Sequence, residues 1–118
     1  MNKVSMKIGK RIIGPNYKPI IIVELGINHS GNLKQAKKLV DEAHKFGAEI
    51  IKHQTHVVED EMSNEAKKII PSHTKENIYE IIKKASLSEY DEFELMKYIK
   101  SKKMIFISTP FSKLAVDR

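Results

Sequence analysis

The sequence contains no cysteine and no tryptophan, and only five glycines and four prolines among its 118 residues. Without cysteine the chain cannot form a disulfide framework, and a reducing compartment such as the cytoplasm is the expected location. No apolar run approaches the length of about 20 residues that a helix needs to cross a bilayer, and the basic start lacks the apolar segment of a secretory signal. We therefore expect one small globular domain with no membrane partner.

Positive charge is in excess, with 21 Lys and Arg against 15 Asp and Glu and a formal net charge of +6. Such a balance is compatible with nucleic-acid binding. The lysines, however, are scattered among acidic residues along predicted helices, and no arginine cluster or interleaved aromatic set of the kind that stacks bases is present. We therefore expect no nucleic-acid partner, and a small anionic substrate accounts for local positive charge equally well.

Apolar runs alternate with capped, helix-periodic segments along the chain. The four consecutive aliphatic residues 20–23 predict a first strand that is buried on both faces. In chain order, the expected elements are a strand near 20–25, a helix near 32–46, a strand near 49–54, a helix near 88–101 and a strand near 104–108. Strand, helix and strand with short joints form a βαβ unit, so these strands should run parallel.

The two long helices have clear start signals and clear apolar faces. Asn32 and Ser88 are the expected N-cap residues, because their side-chain oxygens can accept a bond from the first turn. The apolar residues at helical spacing are expected to face the core. They are Leu33, Ala36, Leu39, Val40, Ala43 and Phe46 in the first helix, and Phe93, Leu95, Met96 and Ile99 in the second.

The chain divides into a lead-in and a series of β/α units. Residues 1–18 are predicted to form an N-terminal hairpin, with its turn at Gly9-Lys10. Residues 19–118 are predicted to hold three β/α units, with an irregular acidic insertion after His56 that carries one or two short helices. Three parallel strands leave sheet edges that must pair with something, and a further helix should begin at the end of the chain. We therefore interpret the chain as the front portion of a larger α/β protein.

Polar side chains lie where each predicted strand ends. Glu24 closes the first strand, Lys52 and Gln54 end the second, and either Ser108 or Thr109 can point inward from the third. Carboxyl ends of parallel strands converge on one face of an α/β fold, so these side chains should meet there.

Each of these residues also has an ordinary structural explanation. A glutamate that ends a strand is often simply solvated, a lysine near a strand end can reach water along its stem, and Ser-Thr-Pro is a common turn sequence. Together, however, an acid, an amine, an amide and a hydroxyl at three successive strand ends favour a site for an anionic substrate. Lys52 and Thr109 would bind its charge, and Glu24 would be placed for proton transfer or hydroxyl contacts.

The five histidines lack the spacing of a metal site. His53 and His56 are three residues apart on or near a strand and should face opposite ways, which is poor ligand spacing. His44 lies within the first predicted helix and is expected on its surface. No metal ligand is predicted within this chain.

Several separated motifs resemble one enzyme family in the same order. They are "VELGINHSGNLKQAKKLVDEAHKFGAEIIKHQTH", "VEDEMSNEAKKIIP", "IYEII" and "MIFISTPFS". They resemble the N-terminal part of the bacterial N-acetylneuraminate (sialic acid) synthases, and the resemblance covers the chain from about Lys7 onward. Close relatives in this family make legionaminic or pseudaminic acid.

The resemblance implies a fold and a reaction. The fold would be the N-terminal portion of a TIM (β/α)8 barrel, which the family fuses to a C-terminal antifreeze-like domain and assembles as a homodimer. The reaction would condense phosphoenolpyruvate with open-chain N-acetylmannosamine to give N-acetylneuraminate and phosphate. A divalent metal, Mn²⁺ or Mg²⁺, would assist, with its protein ligands beyond residue 118. A fragment of this kind is not expected to catalyse alone.

The resemblance also implies roles for five residues. Lys52 and Thr109 would contact phosphoenolpyruvate. Glu24 and Gln54 would face the sugar, its aldehyde and the water bound to the metal. His73 aligns near a family asparagine that touches the sugar, and the different residue type puts that contact in question.

Three alternatives stay open at the level of sequence. The chain could belong to a synthase of a related nonulosonic acid, such as legionaminic or pseudaminic acid. It could be a class I aldolase in which Lys52 forms a Schiff base with the substrate. It could also be a truncated, non-catalytic product.

Overall fold

The computed structural model describes residues 4–118. In chain order its strands and α-helices are β1 (Met6–Ile8), β2 (Arg11–Ile13), β3 (Ile22–Gly26), α1 (Leu33–Lys45), β4 (Ile50–Thr55), α2 (Val58–Glu61), α3 (Ile78–Ala85), α4 (Glu89–Ser101), β5 (Ile105–Pro110) and α5 (Lys113–Asp117). A short 3-10 helix, Ala66–Lys68, lies between α2 and α3. In the part of the chain that the structure describes, no helix is both long and apolar enough to span a bilayer.

Strands β3, β4 and β5 form one parallel sheet with β4 in the centre. Ile22 lies opposite Ile50, and Ile50 lies opposite Ile105, so the three strands start in line. The predicted parallel strands and the predicted fold class, an α/β sheet of three parallel strands with a short N-terminal hairpin, are confirmed.

Both long helices begin at the predicted caps. The Asn32 side chain accepts a hydrogen bond from the Gln35 amide at 2.9 Å, and the Ser88 side chain accepts one from the Asp91 amide at 3.1 Å. Each bond satisfies an amide that the first helical turn leaves without a backbone partner.

The main core lies between α1, α4 and the helix-facing side of the sheet. It is built from aliphatic side chains, namely Leu25, Ala36, Val40, Ala48, Ile51, Leu87, Leu95, Ile99 and Met104. Two predicted core residues are exposed to solvent: Phe46 is 78% exposed and Phe93 is 54% exposed. Phe46 follows the last residue of α1, so it does not continue the apolar face of that helix. On α4 the buried positions are Glu92, Leu95 and Ile99, which places Phe93 about 100° around the helix from the first of them.

The first strand is less buried than its sequence predicts. Ile21 is 54% exposed and Ile22 is 48% exposed, because β3 is an edge of the three-stranded sheet among the described residues. The predicted Thr-Pro turn is also wrong. Pro110 continues β5 opposite Thr55, and the next amide, that of Phe111, donates to the Thr55 carbonyl at 3.2 Å. Proline is tolerated there because β5 is an edge strand among the described residues.

The predicted hairpin is present and contacts the amino-terminal end of the sheet. Strands β1 and β2 pair antiparallel, with Met6 opposite Ile13. From β2, the Arg11 guanidinium bonds both carboxylate oxygens of Glu49 at 2.5 and 2.6 Å, and Glu49 immediately precedes β4. The hairpin therefore lies at the opposite end of the strands from the predicted polar cluster.

Candidate active site

The strand register brings four of the five predicted site residues to one place. Glu24 lies opposite Lys52 in the β3–β4 pair, and Gln54 lies opposite Thr109 in the β4–β5 pair. Residues in register on parallel strands point to the same side of the sheet, and Lys52 and Gln54 share a side because they are two apart. All four therefore lie on the face opposite the main core, at the carboxyl ends of the strands.

An ion pair links the first two of these residues. Lys52 Nζ lies 2.5 Å from Glu24 Oε2, and the two side chains are 36% and 42% exposed. A pair this exposed contributes at most about 1 kcal/mol to stability, so it has little value as a purely structural contact. An ammonium has three N–H donors, so Lys52 can bond Glu24 and still donate to a substrate anion.

The structure resolves which hydroxyl of β5 belongs to this face. Ser108 lies opposite His53, and its hydroxyl is 2.7 Å from the Thr55 hydroxyl on the helix-facing side of the sheet. Thr109 lies opposite Gln54 and is half-buried on the other face. Of the two candidates that the sequence leaves open, Thr109 is therefore the one on the side of Lys52.

His73 is not brought into this group by any hydrogen bond among residues 4–118. It is exposed in the loop between the 3-10 helix and α3. Its contact with the sugar stays a prediction.

A glycine shapes the end of β3. The ladder between β3 and β4 shifts register between Glu24 and Gly26, and Gly26 has a positive φ of 53°. A Cβ at this position would lie 3.4 Å from Gln54 Nε2 and 3.5 Å from Glu24 Oε1. Gly26 therefore turns the chain away from the strand and leaves room for the amide beside the carboxylate.

Sequence reasoning missed a buried pair beside this cluster. His56 Nδ1 lies 2.9 and 3.1 Å from the two carboxylate oxygens of Glu61, and the two side chains are 4% and 5% exposed. The other ring nitrogen, Nε2, lies 3.2 Å from Gln54 Oε1. A histidine just past a strand with a glutamate five residues later is a weak sequence signal, since the contact depends on where α2 packs.

A second missed group lies on the helix-facing side of the sheet. His53 Nε2 lies 3.1 Å from Glu92 Oε1, and the His53 ring lies 5.3 Å from the fully buried ring of His29. Burial, and then the proximity of His53, lower the pKa of His29 from 6.5 to about 4. Within residues 4–118, His29 Nε2 and His53 Nδ1 have no hydrogen-bond partner. This group belongs to the core, because it faces away from Lys52.

The lowered pKa of His29 predicts loss of stability in acid. In the unfolded chain His29 takes up a proton near pH 6.5, but in the folded chain it does so only near pH 4. The contribution of neutral His29 to the free energy of unfolding is therefore complete above pH 6.5 and is lost as the pH falls toward 4. At pH 4 the loss due to His29 should reach roughly 3 kcal/mol. Urea unfolding between pH 7 and pH 4 measures it. The Gly31 amide donates to His29 Nδ1 at 3.2 Å, and His29→Asn keeps an acceptor for it. This variant should make the free energy of unfolding less dependent on pH. An unchanged pH dependence would contradict the assignment.

The described residues do not form a metal site by themselves. Among residues 4–118 no group of three or more His, Asp or Glu side chains is arranged to hold a metal ion. The one carboxylate of the strand-end cluster, Glu24, is already bonded to Lys52.

Comparison with known proteins places these residues in a family context. The model of the NeuB family matches residues 39–118, about two thirds of the chain. The chain is 38% identical over 113 residues to an uncharacterized protein of Methanocaldococcus jannaschii. The aligned region covers 96% of this chain and 31% of that protein. It is 34% identical over 104 residues to the N,N'-diacetyllegionaminic acid synthase of Campylobacter jejuni. This alignment covers 85% of this chain and 31% of that enzyme.

A solved structure shows the same fold. The N-acetylneuraminic acid (sialic acid) synthetase of Leptospira borgpetersenii superposes with a TM-score of 0.79 at 28% identity, over 98% of this chain and 37% of that one. The chain thus spans about a third of the length of these relatives. With a family match over most of its length and curated relatives above 30% identity, this chain belongs to the NeuB family.

Proposed function

We propose that this chain carries part of the active site of a synthase that condenses phosphoenolpyruvate with an N-acetylated sugar, giving a nonulosonic acid and inorganic phosphate. The observation that carries the proposal is the grouping of Glu24, Lys52, Gln54 and Thr109 on one face at the strand ends of a NeuB-family chain. In parallel α/β folds this is the end at which active sites form.

Lys52 and Thr109 form the phosphoenolpyruvate side of the proposed site. Phosphoenolpyruvate carries both a phosphate and a carboxylate, and an ammonium with an adjacent hydroxyl supplies charge-assisted and neutral donors to such an anion. Glu24 orients the Lys52 ammonium through the 2.5 Å contact.

Glu24 and Gln54 form the sugar side. In the proposed reaction the methylene carbon of phosphoenolpyruvate attacks the sugar aldehyde, and the aldehyde oxygen takes up a proton. Water then adds to the resulting oxocarbenium carbon and loses a proton, and phosphate leaves by cleavage of its C–O bond. Glu24, ionised beside Lys52, accepts the proton of the water or orients the aldehyde, and the Gln54 amide offers hydrogen bonds to the sugar.

Two sugars are candidates. N-acetylmannosamine, which would give N-acetylneuraminate, is favoured by the resemblance of the motifs and by the structural match to a sialic acid synthetase. The precursor of N,N'-diacetyllegionaminic acid is favoured by the 34% identity to the Campylobacter jejuni enzyme. The resemblance further predicts a homodimer and a divalent metal, and the lack of cysteine predicts a cytoplasmic location.

An assay of the complete gene product tests the reaction. The protein is incubated with phosphoenolpyruvate, a divalent metal salt and each sugar in turn, and phosphate and nonulosonic acid are measured. The proposal predicts equimolar products with one of the sugars, and ¹⁸O placed in the C–O–P bridge should appear in the phosphate. Absence of a nonulosonic acid with either sugar, or a borohydride-trapped pyruvate adduct on Lys52 as in an aldolase, would overturn it.

Removal of Lys52 should weaken phosphoenolpyruvate binding more than sugar binding. A charge-assisted hydrogen bond contributes about 1.5–3 kcal/mol, so Lys52→Ala should raise the KM for phosphoenolpyruvate roughly 10- to 100-fold. The KM for the sugar should change much less. Lys97→Ala is the control, because Lys97 forms a comparable ion pair with Glu94, at 2.8 Å, on α4. A raised KM for the sugar alone would show that the role of Lys52 is misassigned.

A further inference from the structure

A continuous line of hydrogen bonds connects the buried His56–Glu61 pair with the ion pair at the strand ends. Glu61 bonds His56 Nδ1, His56 Nε2 faces Gln54 Oε1 at 3.2 Å, and Gln54 Nε2 faces Glu24 Oε1 at 3.5 Å. Lys52 bonds the other oxygen of Glu24. The line therefore runs from a water-excluded carboxylate to an exposed one, and Gln54 is its middle member.

The chemistry of the end groups fixes the orientation of the Gln54 amide. Glu24 is paired with Lys52 and is ionised, so its oxygens only accept hydrogen bonds. The Gln54 atom that faces Glu24 must therefore be the NH₂ nitrogen, and its carbonyl oxygen must face His56. A carbonyl cannot donate, so His56 Nε2 must carry a hydrogen.

The partner of the other ring nitrogen completes the assignment. Both oxygens of Glu61 lie within 3.1 Å of His56 Nδ1, so a proton must also lie between these two groups. This proton joins Glu61 to the ring and holds it so that Nε2–H is directed at Gln54 Oε1. The ring is held in place as well, since it stacks on Phe111 with centroids 4.4 Å apart and planes 17° apart.

We propose that His56, held by Glu61, is a positioning residue that fixes the Gln54 amide with its N–H groups toward Glu24 and the substrate. The proposal rests on the proposed function, because it gives Gln54 a task in the same site. Without the Nε2–H donor, only the long 3.5 Å contact with Glu24 orients the amide. The side chain can then leave this position, and its N–H groups are no longer held toward the sugar side.

Two variants separate this role from simple core packing. His56→Phe combined with Glu61→Gln keeps a ring against Phe111 and leaves no unpaired buried carboxylate, but it removes the donor to Gln54. His56→Gln places an amide N–H near the position of Nε2 and should restore it. His44→Phe, on the exposed side of α1, is the control and should leave turnover unchanged.

Kinetics of the complete gene product give the first readout. The double variant should lower kcat by about 10- to 100-fold with little change in the KM for phosphoenolpyruvate, and His56→Gln should recover kcat to within about 3-fold of wild type. Gln54→Leu should cause a similar loss, and adding it to the double variant should cause almost no further loss, because the residues act as one unit. Multiplicative losses, or a His56→Gln variant as impaired as the double variant, would overturn the proposal.

A spectroscopic readout distinguishes failure of this inference from failure of the proposed function. In ¹⁵N NMR spectra of the wild-type gene product, His56 Nε2 should have the chemical shift of a protonated nitrogen. The Gln54 side-chain amide signals should shift in the His56 and Glu61 double variant. A His56 Nε2 without a proton would overturn the positioning role even in an active synthase, whereas an inactive protein with Nε2 protonated would overturn only the proposed reaction.

Discussion

Replacing Glu24 with glutamine is expected to lower turnover about 100-fold or more, the usual scale for a positioned acid–base group. The amide is nearly isosteric with the carboxylate, so the strand end keeps its shape, but it cannot accept a proton at neutral pH. It also weakens the 2.5 Å contact with Lys52. Because that pair is largely exposed, the free energy of unfolding should fall by less than about 1 kcal/mol.

Steady-state kinetics and urea unfolding of the same Glu24→Gln protein check both halves of this expectation. Glu94→Gln is the matched control, because it removes a carboxylate that pairs with Lys97 at 2.8 Å away from the strand ends. Activity of Glu24→Gln within a few-fold of wild type would make Glu24 an ordinary solvated strand end. A large loss of stability would instead make it a structural residue.

The second large effect is expected at Gly31, in the turn between β3 and α1. Gly31 has a φ of 71°, and a Cβ there would lie 2.3 Å from the backbone oxygen of Lys84 at the end of α3. A backbone carbonyl cannot swing away as a flexible side chain can, so Gly31→Ala must displace the turn or the helix end. We expect a loss of about 3 kcal/mol or more in the free energy of unfolding, from backbone strain and overpacking together.

Gly47→Ala provides the control for backbone strain alone. Gly47 has a φ of 82°, and nothing lies within 4 Å of a Cβ built on it. Its replacement should cost only about 1–2 kcal/mol, the penalty of a left-handed conformation. Urea unfolding followed by circular dichroism compares the two variants. Equal losses would mean that the contact between Gly31 and Lys84 does not constrain the fold.

Features with local causes could be predicted from the sequence. The caps at Asn32 and Ser88, the hairpin turn at Gly9-Lys10 and the parallel order of the strands each follow from a few neighbouring residues. The grouping of Glu24 with Lys52 could also be predicted, because register and strand alternation decide it before any side chain packs.

Features that depend on tertiary packing were not predictable in the same way. Phe93 has the helical spacing of a core residue, but the stripe that packs on the sheet starts one position earlier and includes a charged residue, Glu92. Glu92 is buried because His53, 39 residues earlier in the chain, meets it across the core. The sequence near Glu92 gives no indication that His53 is its partner.

The same reason explains the missed part of the candidate site. His56 follows the last residue of β4, Glu61 is the last residue of the one-turn helix α2, and only the packing of α2 brings their side chains together. Sequence spacing correctly argued that His53 and His56 face different ways, but it could not show that each one meets a buried glutamate.

A crystal structure of the complete gene product with phosphoenolpyruvate tests the central claim most directly, because it shows whether the strand-end residues bind this substrate. Our account predicts that the bound molecule contacts Lys52 Nζ and Thr109 Oγ1 through its phosphate or carboxylate, on the face that also holds Glu24 and Gln54. Phosphoenolpyruvate bound elsewhere, without contact to Lys52 or Thr109, would contradict it.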